Sequence, residues 1–430
     1  MKNAMKSVVV SILTFEASLL LRRARPKIIA VTGNVGKTST KDAIYHVLKG
    51  KVKSRKSEKS YNSEIGVPLS VLGLENAWSN PWLWIKNIID GFFIALFPGK
   101  YPEVLILEMG VDRPGDMRRL TAWLKPDVVV LTRLPDVPVH VEYFDSPEAV
   151  VAEKLILVEA LKKDGVLVYN LDDEQIRQAA GNVRNRAVSY GRYSEAEFKV
   201  SEDDVVYENG LPKGLMFKIT SPKSEGDFLL DGVVGTAHLY TFAAAAAVGD
   251  LFDIEVKDVA YMLRDFVPPP GRMRLIAGVK ETMIIDDTYN SSPVAVERAL
   301  SSLLEIRGFA RKVAILGDML ELGRFSIEEH KKAGRQAAEC ADILITIGVR
   351  ARGIAEGALQ AGMSEKDIIQ YETSEGAAKE LDSLIKPGDL ILVKGSQGRR
   401  MERIVEEIMK DPDVAPKLLV RQGQAWKGIS

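Results

Sequence analysis

The sequence predicts an α/β protein of two successive units: a P-loop unit carrying a small antiparallel sheet, then a Rossmann-like unit. Three observations support this. Short aliphatic, β-branched runs alternate with helical segments along most of the 430 residues. A glycine loop ending in Lys37-Thr38 joins the first such run to a helix. Pro268-Pro269-Pro270-Gly271 interrupts the pattern, which restarts beyond it.

Length agrees with this division, since roughly 150 residues per domain gives two or three domains. With 58 Lys+Arg against 59 Asp+Glu there is no basic excess to attract nucleic acid. One cysteine, Cys340, and four histidines exclude a disulfide framework and make a structural zinc site untenable.

The first element is a helix over Met5–Leu21, flanked by Lys2, Lys6, Arg22, Arg23 and Arg25. Glu16 interrupts its apolar run and no small-x-small site comes after it, which argues against a signal peptide. An amphipathic helix is the expectation, with contact at a membrane surface as the second reading. Lys27–Thr32 then reads as a buried strand. Trp82–Phe97 places Ile85, Ile88, Ile89, Phe92 and Leu96 at helical spacing, so it is expected to be a buried or partner-facing helix. It is too short and too charged to span a bilayer.

Val104–Glu108, Val128–Thr132 and Val166–Asn170 continue as buried parallel strands. From Phe198 to Val234 polar and apolar residues alternate around Asn209-Gly210, which predicts an antiparallel hairpin sheet. Ala243–Ala247 is small-residue helix. Beyond the proline run, Met283–Asp286, Val313–Leu316, Ile343–Ile347, Ile368–Tyr371 and Leu390–Val393 predict a second doubly wound sheet.

The loop Gly33-Asn34-Val35-Gly36-Lys37-Thr38, with Ser39 opening the helix, has the context a phosphate site requires. Glycines let backbone N–H groups face phosphates, and the helix N-terminus adds positive potential. Lys37 can reach the β- and γ-phosphates, and the Thr38 hydroxyl can ligate Mg2+. Only two residues separate the first glycine from Gly36-Lys37, where the usual Walker loop has four.

That short loop and the segments after it resemble the Mur ligase superfamily, and within it the branch that adds D-alanyl-D-alanine. Tyr61–Leu69 resembles the family's NNEIGxPL stretch. Leu107-Glu108-Met109-Gly110, with Pro114-Gly115-Asp116, resembles its E-(L/M)-G segment. His140-Val141-Glu142-Tyr143-Phe144 resembles HLExF, Ala152-Glu153-Lys154 resembles AxK, and Asn170-Leu171-Asp172-Asp173 resembles NxDD. Further on, Gly271-Arg272, Asp286–Pro293, Gly317–Gly323 (GDMLELG) and Val393-Lys394-Gly395-Ser396 match in order. The resemblance covers residues 26 to 410.

The resemblance implies a 1–25 helical segment, a 26–267 ATP-binding domain and a 268–430 Rossmann-like C-terminal domain. It implies an ATP-dependent, ADP-forming carboxylate–amine ligase of peptidoglycan synthesis, acting through an acyl phosphate. Lys37, Glu108, His140 and Lys154 are its expected catalytic residues. Gly33, Asn34, Val35, Gly36, Lys37, Thr38 and Ser39, with Arg272, Asp287 and Asn290, would hold ATP. Thr38, Glu108, His140 and a carbamylated Lys154 would hold magnesium. Asn62, Asp318, Glu321, Lys394 and Ser396 would meet the other substrates. A cytoplasmic enzyme with nucleotide and peptide-type substrates and closure about the Pro268–Gly271 linker are expected; the oligomeric state is left open with a monomer favoured, and the charge balance speaks against nucleic acid.

Three segments depart from the pattern. Relatives grip a uridine nucleotide with a separate N-terminal domain, whereas about 25 residues precede the P-loop strand here, too few to fold alone. UDP recognition is therefore expected to be missing, relocated or replaced. His238 stands where relatives have the asparagine that helps hold adenine. Arg133 lies in Thr132–Asp136, where relatives have a TNIG-like run. Two other readings stay open: a superfamily ligase acting on a non-UDP substrate, and a non-catalytic nucleotide-dependent scaffold.

Overall fold

The computed structural model describes residues 2–58, 61–78, 80–193, 195–423 and 426, with side chains from residue 6 onward. The outermost ends of the expected domains, residue 1 and residues 427–430, lie outside the described residues. Helix α1 (Lys2–Ala24) leads into β1 (Lys27–Thr32) and α2 (Lys37–Leu48). Then come β2 (Ser54–Lys56), α3 (Gly66–Leu72), α4 (Pro81–Leu96), β3 (Val104–Glu108), α5 (Asp116–Thr121) and β4 (Val128–Leu131). Next are α6 (Pro147–Glu159), β5 (Val166–Asn170), α7 (Glu174–Ala180) and β6 (Arg186–Gly191). The meander β7 (Phe198–Glu208), β8 (Leu211–Thr220), β9 (Glu225–Asp231) precedes α8 (Ala237–Asp250) and α9 (Val256–Leu263).

These strands form one sheet of nine in the order β2-β3-β1-β4-β5-β6-β7-β8-β9. The expected hairpin exists, with Asn209 and Gly210 both at positive φ as a tight two-residue turn demands. It is not a separate small sheet, however. Tyr190 pairs in parallel with Phe198 and Gly191 with Lys199, so the meander extends the parallel sheet. Both aromatic rings are buried in the core that α2 and α8 cover, which makes continuation cheaper than a free edge. Ala243–Ala247 is buried in α8, where small side chains let the helix lie close on the sheet. Strands β2 and β6 have no counterpart among the strands expected from sequence. β2 is three polar residues at an edge, and β6 has no uninterrupted apolar run.

Alternate residues of β1 serve opposite faces: Ile29 and Val31 toward α2 and α8, Ile28 and Ala30 toward α1, α3 and α5. Helix α1 does not stand apart, because Leu13, Ala17 and Leu20 are buried in that second core. Of the two readings of helix α4, buried or partner-facing, the structure excludes the first for its apolar stripe. Its inward stripe is Asn87, Gly91 and Ala95, while Ile85, Ile89 and Phe92 are exposed. A side chain at Gly91 would strike the buried Glu16 carboxylate, so the α1–α4 seam admits only small residues. Burial raises the Glu16 carboxyl to about 7.

The second sheet comprises β10 (Arg274–Ala277), β11 (Met283–Asp287), β12 (Lys312–Gly317), β13 (Ile343–Ile347), β14 (Ile368–Tyr371) and β15 (Leu390–Lys394). Its order is β10-β11-β15-β12-β13-β14, and only β10–β11 is antiparallel. Helices α10 (Pro293–Glu305), α11 (Ser326–Cys340), α12 (Arg352–Gln360), α13 (Ser374–Leu384), α14 (Glu402–Ile408) and α15 (Ala415–Leu418) cover its two faces as separate cores. The expected doubly wound arrangement is thus present. At the linker the sheets are stitched by Val234 N–H to Met273 O at 3.0 Å and Leu275 N–H to Gly232 O at 2.9 Å. Among the described residues no helix is long and apolar enough to cross a membrane.

Candidate functional site

The C-terminal end of β1 delivers the glycine loop, and α2 begins at Lys37. Gly33 has φ 140° and a Cβ there would lie 2.1 Å from the Thr132 hydroxyl, so no other residue fits. The loop is pinned by Asn34 N–H donating to Arg133 O at 2.7 Å. Arg133 thus serves first through its backbone. The Lys37 ammonium folds back to donate to Gly33 O at 2.9 Å and Asn34 O at 3.3 Å. Burial holds its pKa below the usual lysine value, with Glu108 opposing and Arg272 reinforcing that shift.

Strand β3 lies beside β1 with Glu108 opposite Val31, so its terminal carboxylate reaches the loop. Thr38 Oγ1 donates to Glu108 Oε2 at 2.9 Å, and Asn62 Nδ2 donates to Oε1 at 3.2 Å. Ser57 Oγ accepts from the Glu108 N–H at 3.1 Å. Lys154, on α6, is 1% exposed. Burial, and then the neighbouring Lys37 charge, pull its pKa down to about 7, against Asp112, Glu153 and Asp116. A buried lysine half-neutral near pH 7 is a nucleophile, not a solvated surface cation.

His140 sits at φ 70° before a short 3-10 turn. Its Nδ1 lies 2.7 Å from Glu321 Oε2 and its Nε2 lies 3.5 Å from Asp112 Oδ1. The His140 hydrogen bond holds the Glu321 carboxyl below the usual carboxylate range. Glu321 belongs to the GDMLELG loop of the second sheet. The expectation set it at a substrate, and the structure places it on a residue of the first sheet.

A cleft of about 250 Å3 is lined by Lys37, Thr38, Asn62, Glu108, His140, Arg272 and Asn290 among others. Around it the Asn34 amide, the Ser291 and Ser292 hydroxyls and Arg272 Nε are buried without hydrogen-bond partners. Buried polar groups are normally satisfied. Unspent donors beside a P-loop fit a polyphosphate. Among the described residues no three His, Cys, Asp or Glu side chains gather as a metal site. The oxygens of Thr38 and Glu108 suit Mg2+, and Lys154 could join them only as a carbamate.

From the second sheet, Arg272 stacks over Tyr289 with its guanidinium 3.9 Å from the ring centroid. Asp287 and Lys394 form a buried pair at 2.6 Å, and Lys394 also donates to Asn290 O at 3.0 Å. Burial raises the Asp287 pKa, and Lys394 opposes the shift. The Lys394 charge is thereby engaged within its own sheet, beside a pocket shared with Gly36, Ser39, Arg272 and Asp287. Asp318 and Ser396 line neither this pocket nor the cleft. Asp318 accepts from Ala351 N–H at 2.7 Å, and the Ser396 hydroxyl accepts from Leu320 N–H at 2.9 Å, so both brace the GDMLELG loop.

Two residues had no assigned role in the sequence. Arg298 lines the same pocket, its pKa lowered to about 10 chiefly by burial and secondly by Arg133. His238 is buried, with Nε2 3.1 Å from Arg272 O. It ties α8 to the segment just after the linker. Burial lowers its pKa to about 4. The unfolded chain, with an ordinary value near 6.5, binds the proton first. Stability is therefore full above about pH 6.5 and lost as pH falls toward 4, with a ceiling of about 3 kcal/mol from this group. Denaturant melts of wild type and His238→Gln across that range should show a shallower acid loss in the variant; parallel curves would refute this.

The chain matches the model described as "Mur ligase middle domain" over residues 31–249 and that described as "Mur ligase, glutamate ligase domain" over residues 271–397. It is 30% identical over 403 residues to the UDP-N-acetylmuramoyl-tripeptide–D-alanyl-D-alanine ligase of Bacillus subtilis, covering 92% of this chain and 79% of that one. The Mycobacterium leprae protein of the same name is 27% identical, covering 90% and 74%. Among solved structures, MurF of Thermotoga maritima in complex with ADP superposes with TM-score 0.74 at 26% identity, over 93% of this chain and 83% of that one. MurF of Acinetobacter baumannii shares the fold, with TM-score 0.76 at 23% identity over 94% and 80%.

Proposed function

The chain belongs to the Mur ligase family, and from that premise we propose that it joins D-alanyl-D-alanine, or a similar amine, to the peptide carboxylate of a peptidoglycan precursor. ATP phosphorylates the carboxylate, releasing ADP. The amine then displaces phosphate from the acyl phosphate to form the amide. The observation that carries this reading is the convergence of Lys37 and the Thr38–Glu108 pair on one cleft that Arg272 and Asn290 close from the second sheet, with the buried Lys154 close enough to Lys37 to feel its charge. A kinase or hydrolase needs only the first half of that set.

The barrier is electrostatic, because a carboxylate must approach a polyphosphate. Lys37 leaves its loop carbonyls to meet the β- and γ-phosphates. The unpaired donors of Asn34, Ser291, Ser292 and Arg272 take phosphate and ribose oxygens. Asp287 and Asn290 are the residues we assign to the ribose. Thr38, Glu108 and His140, with Lys154 as carbamate, would hold Mg2+, which when bound offsets the phosphate charge. Glu321 positions the His140 ring and links the two sheets across the cleft. Asn62 orients Glu108. The contacts of Glu321, Asp318 and Ser396 support a positioning role in place of direct substrate contact.

We assign residues 1–25, 26–267 and 268–430 to a helical segment and the two ligase domains, with Leu13, Ala17 and Leu20 of α1 packed into the core of the first. ATP and a nucleotide-linked precursor as substrates suit a reaction in the cytoplasm. Phosphate release from ATP and Mg2+ should require both UDP-N-acetylmuramoyl-tripeptide and D-Ala-D-Ala. Release that needs neither would refute the ligase reading, and release restored only by a precursor without UDP would refute the choice of acceptor.

A further inference from the structure

Helix α4 packs Trp84 and Ile94 partly on the core yet turns most of its large apolar side chains outward. A surface helix ordinarily hides its apolar stripe. Here the inward stripe is Asn87, Gly91 and Ala95, and the outward one is Trp82, Ile85, Ile89, Phe92, Phe93 and Phe97. Trp82 is 79% and Phe97 73% exposed. The polar side chains on its flank, Lys86 and Asp90, are paired with one another. The neighbouring helix α1 also exposes Val8 and Phe15, the latter 69% exposed and beside Leu120 and Trp123. Large aromatic groups on one continuous outward stripe mark an interaction surface, since scattered single exposures are the ordinary case.

Charge points to the occupant. Helix α1 runs into β1 and α4 runs into β3, and those strands start side by side with Lys27 opposite Val104. Both helices therefore end at the same edge of the sheet. Arg22, Arg23, Arg25, Lys53 and Lys100 lie in the segments that meet there, with Lys53 donating to the Lys100 carbonyl; Lys27 turns to the other face, over the Phe252 ring. Glu103 and Asp127 are the nearby carboxylates, and Asp127 is neutralised by Lys162 at 2.8 Å. An apolar, aromatic helix face bordered by uncompensated cations suits an interface of acyl chains beneath anionic headgroups. With 16 residues, α4 is too short to span a bilayer, so the geometry is that of a helix lying on one. The catalytic cleft opens at the opposite, C-terminal ends of β1 and β3, where such contact would leave it uncovered.

We propose that the outward face of α4, with Phe15 of α1 and the basic edge, docks this ligase on an anionic bilayer surface. The test is flotation of the full chain with phosphatidylcholine vesicles with and without phosphatidylglycerol. The wild-type protein floats with the mixed vesicles, and added salt weakens the association. Ile89→Glu/Phe92→Glu should bind at least about tenfold more weakly, because two apolar side chains leave the acyl layer. Its ATP-dependent phosphate release and circular dichroism stay at wild-type level. Absence of flotation, or flotation that the double variant leaves unchanged, overturns the proposal. So does a concentration-dependent dimer that the double variant dissociates while vesicles are ignored, since that assigns the face to a second copy.

Discussion

Replacing Lys37 by alanine should abolish ATP-dependent phosphate release, with a loss of roughly 1,000-fold or more. The ammonium lies in the glycine loop, at the residue that starts α2. Its bonds to Gly33 O and Asn34 O are internal to the loop, and on the proposed reading they would be exchanged for phosphate contacts. One preorganised charge aimed at developing transition-state charge is worth about 10²–10³ in rate. Lys37 also counters ground-state repulsion between the two anions, which enlarges the effect. The fold should survive, because a buried ammonium held below its normal pKa costs free energy that alanine does not. Release measured at saturating ATP on a variant with an unchanged melting curve decides the point. An unaltered rate would remove the phosphate assignment of the loop.

Lys154→Ala should reduce turnover by a comparable order, for a different reason. The side chain is 1% exposed and its pKa has fallen to about 7. The amine is therefore substantially neutral at neutral pH and can attack CO2, giving a carbamate anion and a proton. The substitution removes a desolvated cation, so the folded protein should melt no earlier than wild type even though a small cavity opens. Short-chain carboxylic acids, which restore the missing anion, should partly recover the rate in the variant and leave wild type unchanged. The pH dependence has a definite sign. As pH falls through about 7 the amine becomes ammonium, carbamate cannot form, and the wild-type rate should drop, while acid-rescued Lys154→Ala should lack that limb. Full activity in the unrescued variant would end the carbamate assignment.

Much of this molecule is legible without coordinates. Where the chain must bury two faces of a parallel strand, it spells a continuous aliphatic run, and Lys27–Thr32, Val104–Glu108 and Leu390–Val393 read as strands for that reason. Asn209-Gly210 specifies its hairpin because few other pairs tolerate two successive positive φ values. Gly33 and Gly36 announce a phosphate loop because a Cβ at Gly33 would strike the Thr132 hydroxyl and Gly36 sits at a positive φ of 87°. The short polar β2 and the edge β10 carry no such signature, since edge strands are defined by the neighbour they pair with.

What sequence alone determined was local: the identity of the strands, the glycine loop, the linker, and the set of residue types suited to ligation. Tertiary structure decided everything that depends on distance between remote segments. It joined the meander to the parallel sheet through Tyr190 and Phe198. It placed Glu321 on His140 across 181 positions of chain, turned Lys394 inward onto Asp287, and set His238 against the linker carbonyl of Arg272. It also reversed α4, because helical periodicity identifies an apolar stripe but not the side on which a neighbour lies. Burial, and with it the lowered pKa of Lys154, belongs to this second class. A side chain's charge state is set by the water and charges around it, and those are supplied by the whole fold.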